Sequence, residues 1–584
     1  MHTTFRHTLL CAALVVFGCG AAPVSATSAP SKDVTKEREA LMGAMKKELA
    51  RSSTRLKFKT YDAPYFIAYQ MKDVKRRGLT GKYGSIISED NDRSRHVYTE
   101  VRVGDHSFDN YANIDNEAFR LNETAVDKRA PLDANPMALR GVLWRMTDQA
   151  YKKALSDYLT KKGGAVYAPE ERTKVPSFSK EKPATFRGPS TSKPFDEKAW
   201  RQTIKEVTAQ MVKSKGVVDS SMDVSQRTTV RYLTTSSGTD IIDEEVVYAI
   251  HIEAYTRAPD GMRLDNGRSY YARTASELPS AKQIKQDVAT MLVELQALAK
   301  APVLNPYTGP AILMPEASGV LFHEAVGHRL EGERQRNEEE GQTFKGRLNK
   351  NIIPTFLSVY DDPTLQTHQG KQLNGFYHYD DEGVHAQRVT LVKDGTLKAY
   401  LKSRTPVEGS PHSNGHGRSQ SAQKPIARMA NLMVASSDAK KVPYAKLKQM
   451  LIEQVKKQKK PFGLIIKDIT GGSTNTSGYG YQAFKGSSRL IYKVDPKTGA
   501  ETLVRGAEMV GTPLVSISKI VAASQETGVF NGYCGAESGY VPVSTIAPAL
   551  LTTEIELQRN QTGKERPPLL PPPWDDADKP SMKK

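Results

Sequence analysis

The chain has 584 residues, more than one hydrophobic core usually supports, and a length of about 150 residues per domain predicts roughly two to four domains. Its formal net charge is +18, and its lysines and arginines are spread along the chain rather than gathered on one helix or stripe. This argues against a nucleic-acid partner. It leaves two interpretations of the charge, a basic surface that associates with anionic envelope polymers or lipids, or ordinary solvated lysines.

The first residues have the pattern of a secretory signal peptide. Arg6 precedes an apolar run from Leu9 to Ala22, and small residues follow it. The run is shorter than the roughly 20 residues that a membrane-spanning helix needs. We therefore predict a signal peptide at 1–26 and a periplasmic or secreted mature protein. Lipid anchoring at Cys19 is the less favoured alternative, because residues 16–19 only loosely resemble a lipobox.

Residues 30–300 carry the pattern of an N-terminal α+β domain. The predicted elements, in chain order, are a helix at 33–50, strands at 65–69 and 96–103, a helix at 135–163, a hairpin at 244–273 and a helix at 280–300. Between them, residues 169–194 are rich in Pro, Ser, Thr and Lys, which predicts a long surface loop. The last helix stops at Pro302, and we place the domain boundary there.

Residues 301–560 form the predicted C-terminal domain, which is rich in short strands punctuated by glycine. It also contains two predicted helices, one around His323 and one at 443–460. The tail at 561–584 is proline-rich and is predicted to be disordered. The fold class predicted for the whole chain is therefore α+β, with two domains.

The helix around His323 carries the residues that indicate chemistry. Its sequence contains His323-Glu324-Ala325-Val326-Gly327-His328. Zinc peptidases usually place two histidines four residues apart on a helix, with a glutamate between them as general base. A spacing of five leaves the two rings about 140° apart on a regular α-helix. We therefore predict a π-bulge near Gly327 that turns both rings to one side. The alternative is that both are ordinary, partly buried histidines.

A catalytic zinc needs a third protein ligand, and Cys534 is the best candidate. Removal of the signal peptide takes away Cys11 and Cys19, so Cys534 is the single thiol of the mature chain. Metal ligation would explain a lone thiol in an oxidising compartment. Glu331 and Glu333 are the local alternatives. With Glu324 as general base, this set of residues suits the hydrolysis of a peptide bond.

Several blocks of the second half resemble the TldD/PmbA family, the modulator-of-gyrase or microcin-processing peptidases. They occur in the family's order: His323 to Gly332, Tyr379 to Gly383, Gly417 to Asn431, Gly471-Gly472, and Cys534 to Val543. The resemblance implies that the two histidines and the cysteine hold the metal and that Glu324 is catalytic. It also implies a two-domain subunit that works as a homodimer or as a heterodimer with a relative, and that cleaves unfolded or short peptides bound as an extended strand.

Arg418 and Arg428 lie in the third of these blocks and have two interpretations. They contact the substrate, or they pair with carboxylates such as Asp380. Members of this family are usually cytoplasmic, so the export signal departs from the pattern, and the N-terminal half matches only weakly.

The function predicted from the sequence is an exported, zinc-dependent peptidase acting on short or unfolded polypeptides. One alternative is a non-catalytic envelope scaffold or binding subunit with a structural metal, which would have four protein ligands. Another is an amidase that acts on cell-wall peptides or other amides. Iron or cobalt would also suit this ligand set, with zinc as the first choice.

Overall fold

The computed structural model describes residues 32–111, 128–164, 175–337, 340, 342–477, 483–560, 570 and 572–576. The predicted signal peptide at 1–26 lies outside these ranges, as does most of the tail at 561–584. Within the described part of the chain, no helix is long and apolar enough to span a bilayer.

The first half of the chain is built on a six-stranded sheet. The strand order is β2-β1-β4-β5-β3, and β6 pairs with the same edge of β5 as β3, farther along that strand. Its strands are β1 (Phe66–Lys82), β2 (Ser85–Arg102), β3 (Thr185–Arg187), β4 (Asp219–Thr235), β5 (Asp240–Arg257) and β6 (Arg263–Ala272). The predicted strands at 65–69 and 96–103 overlap β1 and β2 to within one residue at the ends, and the predicted hairpin at 244–273 corresponds to β5 and β6.

Four helices cover one face of this sheet. They are α1 (Lys32–Arg55), α2 (Pro136–Gly164), α3 (Glu197–Val212) and α4 (Ala281–Lys300). Side chains alternate between the two faces of a strand, so the even-numbered β4 residues Met222, Val224, Val230 and Tyr232 pack beneath these helices. The odd-numbered residues of β4 therefore lie on the opposite face, toward the second half of the chain.

The predicted surface loop at 169–194 is partly wrong. In its described part, 175–194, the strand β3 pairs in parallel with β5, and Phe178 is only 1% exposed. The Phe178 ring lies 3.7 Å from the guanidinium carbon of Arg102 and 3.9 Å from that of Arg404. One aromatic residue between two guanidinium groups therefore fixes a segment whose composition is typical of a loop.

The second half is built on a twelve-stranded mixed sheet. Its longest strands are β21 and β22, and the pairings β22-β20-β18-β17-β7-β22 close a ring of five strands. The C-terminal strands in chain order are β7 (Tyr307–Leu313), β8 (Leu357–Asp361), β9 (Thr367–His368), β10 (Lys371–Gln372), β11 (Val389–Lys393), β12 (Thr396–Leu397), β13 (Gly417–Arg418), β14 (Ile426–Ala427), β15 (Asn431–Ser436), β16 (Lys441–Val442), β17 (Gly463–Thr474), β18 (Phe484–Val494), β19 (Glu501–Val504), β20 (Ala507–Gly511), β21 (Ile520–Ala536) and β22 (Gly539–Arg559). The remaining four form two separate pairs, β9 with β10 and β13 with β14.

The helix that carries His323 is enclosed by the second half. This helix, α5 (Pro315–Ala325), is buried at every residue from Ala317 to Ala325 and packs against β17, β21 and β22. Helix α6 (Tyr444–Lys457) covers the same sheet through Leu447, Leu451 and Val455, and α7 (Pro513–Ser518) is a short connection. The fold class is mixed α+β with a sheet-rich second half, as predicted.

The described residues of the tail depart from the predicted disorder. Residues Pro573–Asp576 form a single helical turn, α8, and the Trp574 ring lies 5.5 Å from that of Tyr83. An aromatic side chain that packs against another ring explains why this part of a proline-rich segment is ordered.

Candidate metal centre

The two histidines lie on either side of a break in the helix. Helix α5 ends at Ala325, Val326 has φ −117° and ψ −51°, and a 3-10 helix follows at Gly327–Leu330. The predicted π-bulge is therefore wrong: the chain leaves the α-helix and tightens instead of widening. A β-carbon at Gly327 would lie 2.1 Å from Met429 Sδ, so close packing against Met429 requires glycine at this turn.

The break brings both imidazoles to the same sulfur atom. His323 Nε2 lies 3.2 Å from Cys534 Sγ, and His328 Nε2 lies 3.5 Å from it. The atoms that these three residues offer to a metal all lie within 4.8 Å of one another. Tetrahedral zinc with ordinary bond lengths would hold such atoms about 3.4–3.6 Å apart. The three side chains therefore fit one zinc ion with little movement.

Arg428 supports the strand that presents Cys534. It is fully buried, and its Nη2 donates to the carbonyl oxygen of Cys534 at 2.6 Å. Its Nη1 donates to Ser538 Oγ and to the Gly539 carbonyl, both at 2.8 Å, across the turn between β21 and β22. Its Nε also lies 3.5 Å from Glu331 Oε1. The structure therefore shows Arg428 paired with a carboxylate, which is Glu331 rather than Asp380, and its predicted contact with substrate stays a prediction.

Glu331 orients His328 from the side opposite the sulfur. Its Oε2 accepts from His328 Nδ1 at 3.1 Å and from Arg334 Nε at 2.9 Å. Burial raises the pKa of Glu331, but the charges of His328 and Arg334 outweigh burial and hold that pKa at about 2. The ionised carboxylate thus fixes the ring so that Nε2 faces Cys534.

Neither local alternative to Cys534 joins the cluster. Glu331 contacts the far nitrogen of His328, as described above. Glu333 Oε2 accepts from Ser403 Oγ at 2.9 Å and from the Ala427 amide at 2.8 Å. Both carboxylates therefore serve the surrounding structure and leave the cysteine as the third ligand group.

Charge at the site favours the thiolate form of Cys534. Burial raises the pKa of the thiol, but His328 and His323 outweigh it and hold the pKa well below its usual value. For each histidine, burial lowers the pKa, but the charge of Cys534, together with that of Glu324 for His323 and of Glu331 for His328, outweighs burial and raises the pKa. A thiolate is the form of cysteine that binds metal, and an entering cation would replace the imidazolium protons.

Glu324 lies beside the cluster and on the wall of a large cleft. Its Oε2 is 3.9 Å from His328 Nε2, and it lines a cavity of about 1380 Å³ together with His323, Gly471 and Gly472. A β-carbon at Gly472 would lie 2.7 Å from Glu324 Cγ. The close approach of β17 at this glycine therefore limits where the carboxylate can go.

Arg418 is also held by backbone carbonyls. Its Nη1 donates to Met429 O at 2.6 Å and its Nη2 to Pro542 O at 2.7 Å, and it lines a second, smaller cavity. Asp380, the predicted carboxylate partner, instead accepts backbone N–H groups of Glu382, Val384 and Gly417 at 2.9 Å each. Neither Arg418 nor Arg428 therefore pairs with Asp380 within the residues that the structure describes.

Sequence reasoning missed three supporting positions. These are Glu331 as the partner of His328, Arg428 as the support of Cys534, and Gly472 against Glu324. Only Glu331 carried a local signal, since a residue three positions after a histidine lies near it on a helical turn. The other two act across more than 100 residues of chain.

Comparison with known proteins gives matches over the second half. Residues 306–559 match the PmbA/TldA metallopeptidase C-terminal domain. The TldD homolog of Haemophilus influenzae, named a metalloprotease, is 31% identical over 46% of this chain and 53% of its own length. The zinc metalloprotease TldD homolog of Saccharolobus solfataricus is 28% identical over 42% of this chain and 51% of its own length. The matched part therefore spans about half of each relative.

Solved structures resemble nearly the whole chain in fold. TldE from Thermococcus kodakarensis aligns with a TM-score of 0.55 and 14% identity, covering 88% of this chain and 100% of that one. A candidate modulator of DNA gyrase from Thermotoga maritima aligns with a TM-score of 0.56 and 15% identity, covering 90% and 100%. At such identities the likeness concerns the fold alone, and it extends to the half of the chain that the sequence matches do not reach.

Proposed function

The chain belongs to the TldD/PmbA family, and from this premise we propose that it is a zinc-dependent peptidase that hydrolyses short or unfolded polypeptides. One observation carries the proposal: His323, His328 and Cys534 converge beside a cleft that Glu324 also lines. A catalytic zinc has three protein ligands and an open position, whereas a structural zinc has four. Within the described residues the cluster has three members, which favours the catalytic kind.

The metal site, Glu324 and Glu331 have separate roles in the proposed hydrolysis. Zinc, when bound, would polarise the substrate carbonyl and acidify water toward neutral pH. Glu324 then accepts the proton of the attacking water and delivers it to the nitrogen of the leaving amine. Glu331 keeps the His328 ring in place during this exchange, because its carboxylate holds Nδ1.

The wall of the cleft suits an extended chain. The ladder between β17 and β18 shifts register between Ile469 and Gly472, so it skips Thr470 and Gly471, and both line the cleft. We infer that backbone groups of this segment pair with an extended substrate, as an added strand does at a sheet edge. Only a short or unfolded polypeptide offers such a strand, which is why we exclude folded substrates.

The central test is the substitution Glu324→Gln. It removes the general base and leaves all three metal-binding side chains, so we expect cleavage to fall by at least about 100-fold while zinc content stays the same. Cleavage of unstructured peptides is followed by mass spectrometry, and zinc is measured on the same samples. Full cleavage by the variant would eliminate Glu324 as the base. If the wild type binds zinc but cleaves no peptide, the scaffold alternative gains support instead.

We also propose that the protein is exported and acts as a dimer. The proposal of export rests on the signal-like residues 1–26, and the proposal of a dimer rests on the family. Cell fractionation of the native protein and of a variant without residues 2–26 tests export, since only the native form should leave the cytoplasm. Sedimentation of the purified protein, alone and with a family relative from the same cell, distinguishes a homodimer from a heterodimer.

A further inference from the structure

A second cavity, of about 320 Å³, lies between the two halves of the chain. One wall is the helix-free face of the N-terminal sheet, where Arg227, Thr229 and Arg231 follow each other along β4. The other wall includes the hairpin of β21 and β22, through Tyr533 and Pro542. Its size lies at the lower end of the range of small-ligand sites, roughly 300–1,000 Å³.

Most charged groups of this cavity are already paired. Asp381 accepts from Lys72 and from Arg231 at 2.9 Å each. Glu244 Oε1 accepts from the backbone amides of Thr191 and Ser192, at 2.6 and 2.8 Å. The other three acids of the lining have donors as well: Asp243 lies 3.6 Å from Arg231, Glu245 lies 3.5 Å from Arg273, and Asp380 accepts the three backbone N–H groups described above.

The arginines Arg273 and Arg418 are likewise occupied. Arg273 Nη2 donates to the Phe376 carbonyl at 2.9 Å, and its Nη1 lies 3.5 Å from Glu245. Arg418 donates to the two carbonyls described above. Five cations thus line the cavity, and four of them have partners in the fold.

Arg227 is the exception. It is half-buried, it lines the cavity, and no hydrogen bond or ion pair engages its guanidinium within the residues that the structure describes. Arg227 and Tyr533 both line the cavity, and burial raises the pKa of Tyr533 while the charge of Arg227 partly opposes that rise. A half-buried guanidinium without a partner has lost part of its hydration without forming a hydrogen bond in exchange. A carboxylate ligand would supply such a bond.

The cavity adjoins the metal centre. Tyr533 and Gln372 line both this cavity and the large cleft, so the two spaces meet at this pair of residues. Tyr533 immediately precedes Cys534 in β21. One extended residue advances about 3.3 Å, so a peptide cut at the metal would reach the cavity within a few residues of the scissile bond.

We propose that this second cavity is an anion subsite of the cleft, in which Arg227 binds a carboxylate of the peptide substrate. The inference rests on the proposed peptidase function and narrows its substrate class. The carboxylate has two sources, the C-terminus of the peptide or an acidic side chain near the scissile bond. Both present two oxygens to a guanidinium in the same way.

Binding of three peptides tests the proposal. All three carry an amino-terminal fluorescein and are five residues long. Two have the same sequence, one with a free C-terminal acid and one with a C-terminal amide. The third has a C-terminal amide, and its sequence differs from theirs only by glutamate in place of the penultimate glutamine. Their affinities are measured by fluorescence anisotropy on full-length zinc-loaded Glu324→Gln protein, which does not consume them. We expect at least one acidic peptide to bind about tenfold more tightly than the neutral amide, the usual scale for a hydrogen bond to a charged group.

The variant Arg227→Gln, made in the same background, should abolish this preference and leave the affinity for the neutral amide unchanged. Arg77→Gln is the matched control: Arg77 is exposed, pairs with Gln226 in the same sheet, and therefore lies on the other face. It removes the same charge and should keep the preference. The peptide that loses affinity identifies the source of the carboxylate.

Two results would overturn the subsite. Equal binding of all three peptides is one, and an equal loss on all three in Arg227→Gln is the other. Failure of the proposed peptidase appears separately, as peptides that bind with the Arg227-dependent preference but remain uncut by the protein with Glu324 intact.

Discussion

At the scale of single residues, Gly472 holds strand β17 against the side chain of the proposed base. A β-carbon there would lie 2.7 Å from Glu324 Cγ and 2.7 Å from Val320 Cγ1. Gly472→Ala should therefore displace the carboxylate by a fraction of an ångström to an ångström. We expect kcat for peptide cleavage to fall by about 100-fold, as small misplacements of catalytic groups do.

The neighbouring glycine supplies the control for this experiment. A β-carbon at Gly471 would have no atom within 4 Å, so Gly471→Ala should leave Glu324 in place and keep the wild-type kcat. Any effect of this variant on substrate contact with the segment should appear in KM. Both variants should retain zinc, because neither residue touches the ligand side chains. Equal rates for the two variants would show that Glu324 is not confined by β17.

Glu331 offers a second test at this scale, on metal affinity rather than rate. Glu331→Gln keeps the shape of the side chain but removes the charge that faces His328 Nδ1. Zinc affinity should fall about tenfold, the lower end of the usual effect of such supporting carboxylates. Competition with a chelator of known affinity measures it.

Glu333→Gln is the comparison for that measurement. Glu333 lies two residues away and is similarly buried, but it contacts Ser403 and Ala427 instead of a ligand. Zinc affinity should stay at the wild-type value in this variant. Identical affinities for the two variants would remove Glu331 from the metal centre.

At the scale of elements, the helix break after Ala325 allows His323 and His328 to face the same metal ion although they are five residues apart. Gly327→Ala would place a β-carbon 2.1 Å from Met429 Sδ, and overpacking of this kind costs about 1–3 kcal/mol. We expect a lower unfolding midpoint and weaker zinc binding, because the displaced turn carries His328. Thermal unfolding and chelator competition on the same protein measure the two effects.

The double variant Gly327→Ala with Met429→Ala tests whether the clash with Met429, and not a general loss of stability, weakens zinc binding. Shortening Met429 removes the atom that the new β-carbon meets, so zinc affinity should recover toward the wild type. The stability of the double variant should remain low, since Met429 is fully buried and its truncation leaves a cavity. Unrecovered zinc affinity would mean that the turn depends on backbone flexibility at position 327 instead.

Elements with long periodic patterns were predictable from the sequence, and those defined by distant contacts were not. Helices α2 and α4 were predicted nearly to their bounds because caps, prolines and apolar spacing mark them locally. The 3-10 turn after Ala325 depends on Met429, and the order around Phe178 depends on Arg102 and Arg404. Such contacts leave no periodic signal in the segment that they shape.

At the scale of the whole molecule, the candidate site also contains residues that the sequence marks locally and residues that only distant contacts reveal. His323, Glu324 and His328 lie within six consecutive residues, and Cys534 stands out as the single thiol after the signal peptide. Arg428 lies in one of the family blocks, but its position behind the sulfur follows only from contacts with residues more than 100 positions away. Arg227 lies in a stretch without a motif, and its position at the second cavity follows from the way in which the two sheets meet.

Asp381 joins these two sheets. It lies in the second half of the chain, is 8% exposed, and accepts from Lys72 and Arg231 of the N-terminal sheet. Asp381→Asn keeps the shape but leaves buried Lys72 without its counter-charge and Arg231 with only Asp243, at 3.6 Å. Removal of one member of a buried ion pair costs about 3–5 kcal/mol, so the unfolding midpoint at pH 7 should fall clearly. Arg227 lies on the same face, so the variant should also weaken binding of the acidic peptide.

The pH dependence of this loss follows from the charge on Asp381. Burial raises its pKa, but Lys72 and Arg231 outweigh burial and hold the pKa well below the usual value. The stabilisation is therefore complete above the unfolded-state pKa of about 3.9 and fades as the pH falls below it. The difference in midpoint between wild type and Asp381→Asn should be constant from pH 7 to pH 5 and shrink toward pH 3. Asp148→Asn breaks an exposed pair with Lys152 and should have the wild-type unfolding midpoint at every pH. A difference in midpoint between wild type and Asp381→Asn that does not change with pH would contradict the ionic account.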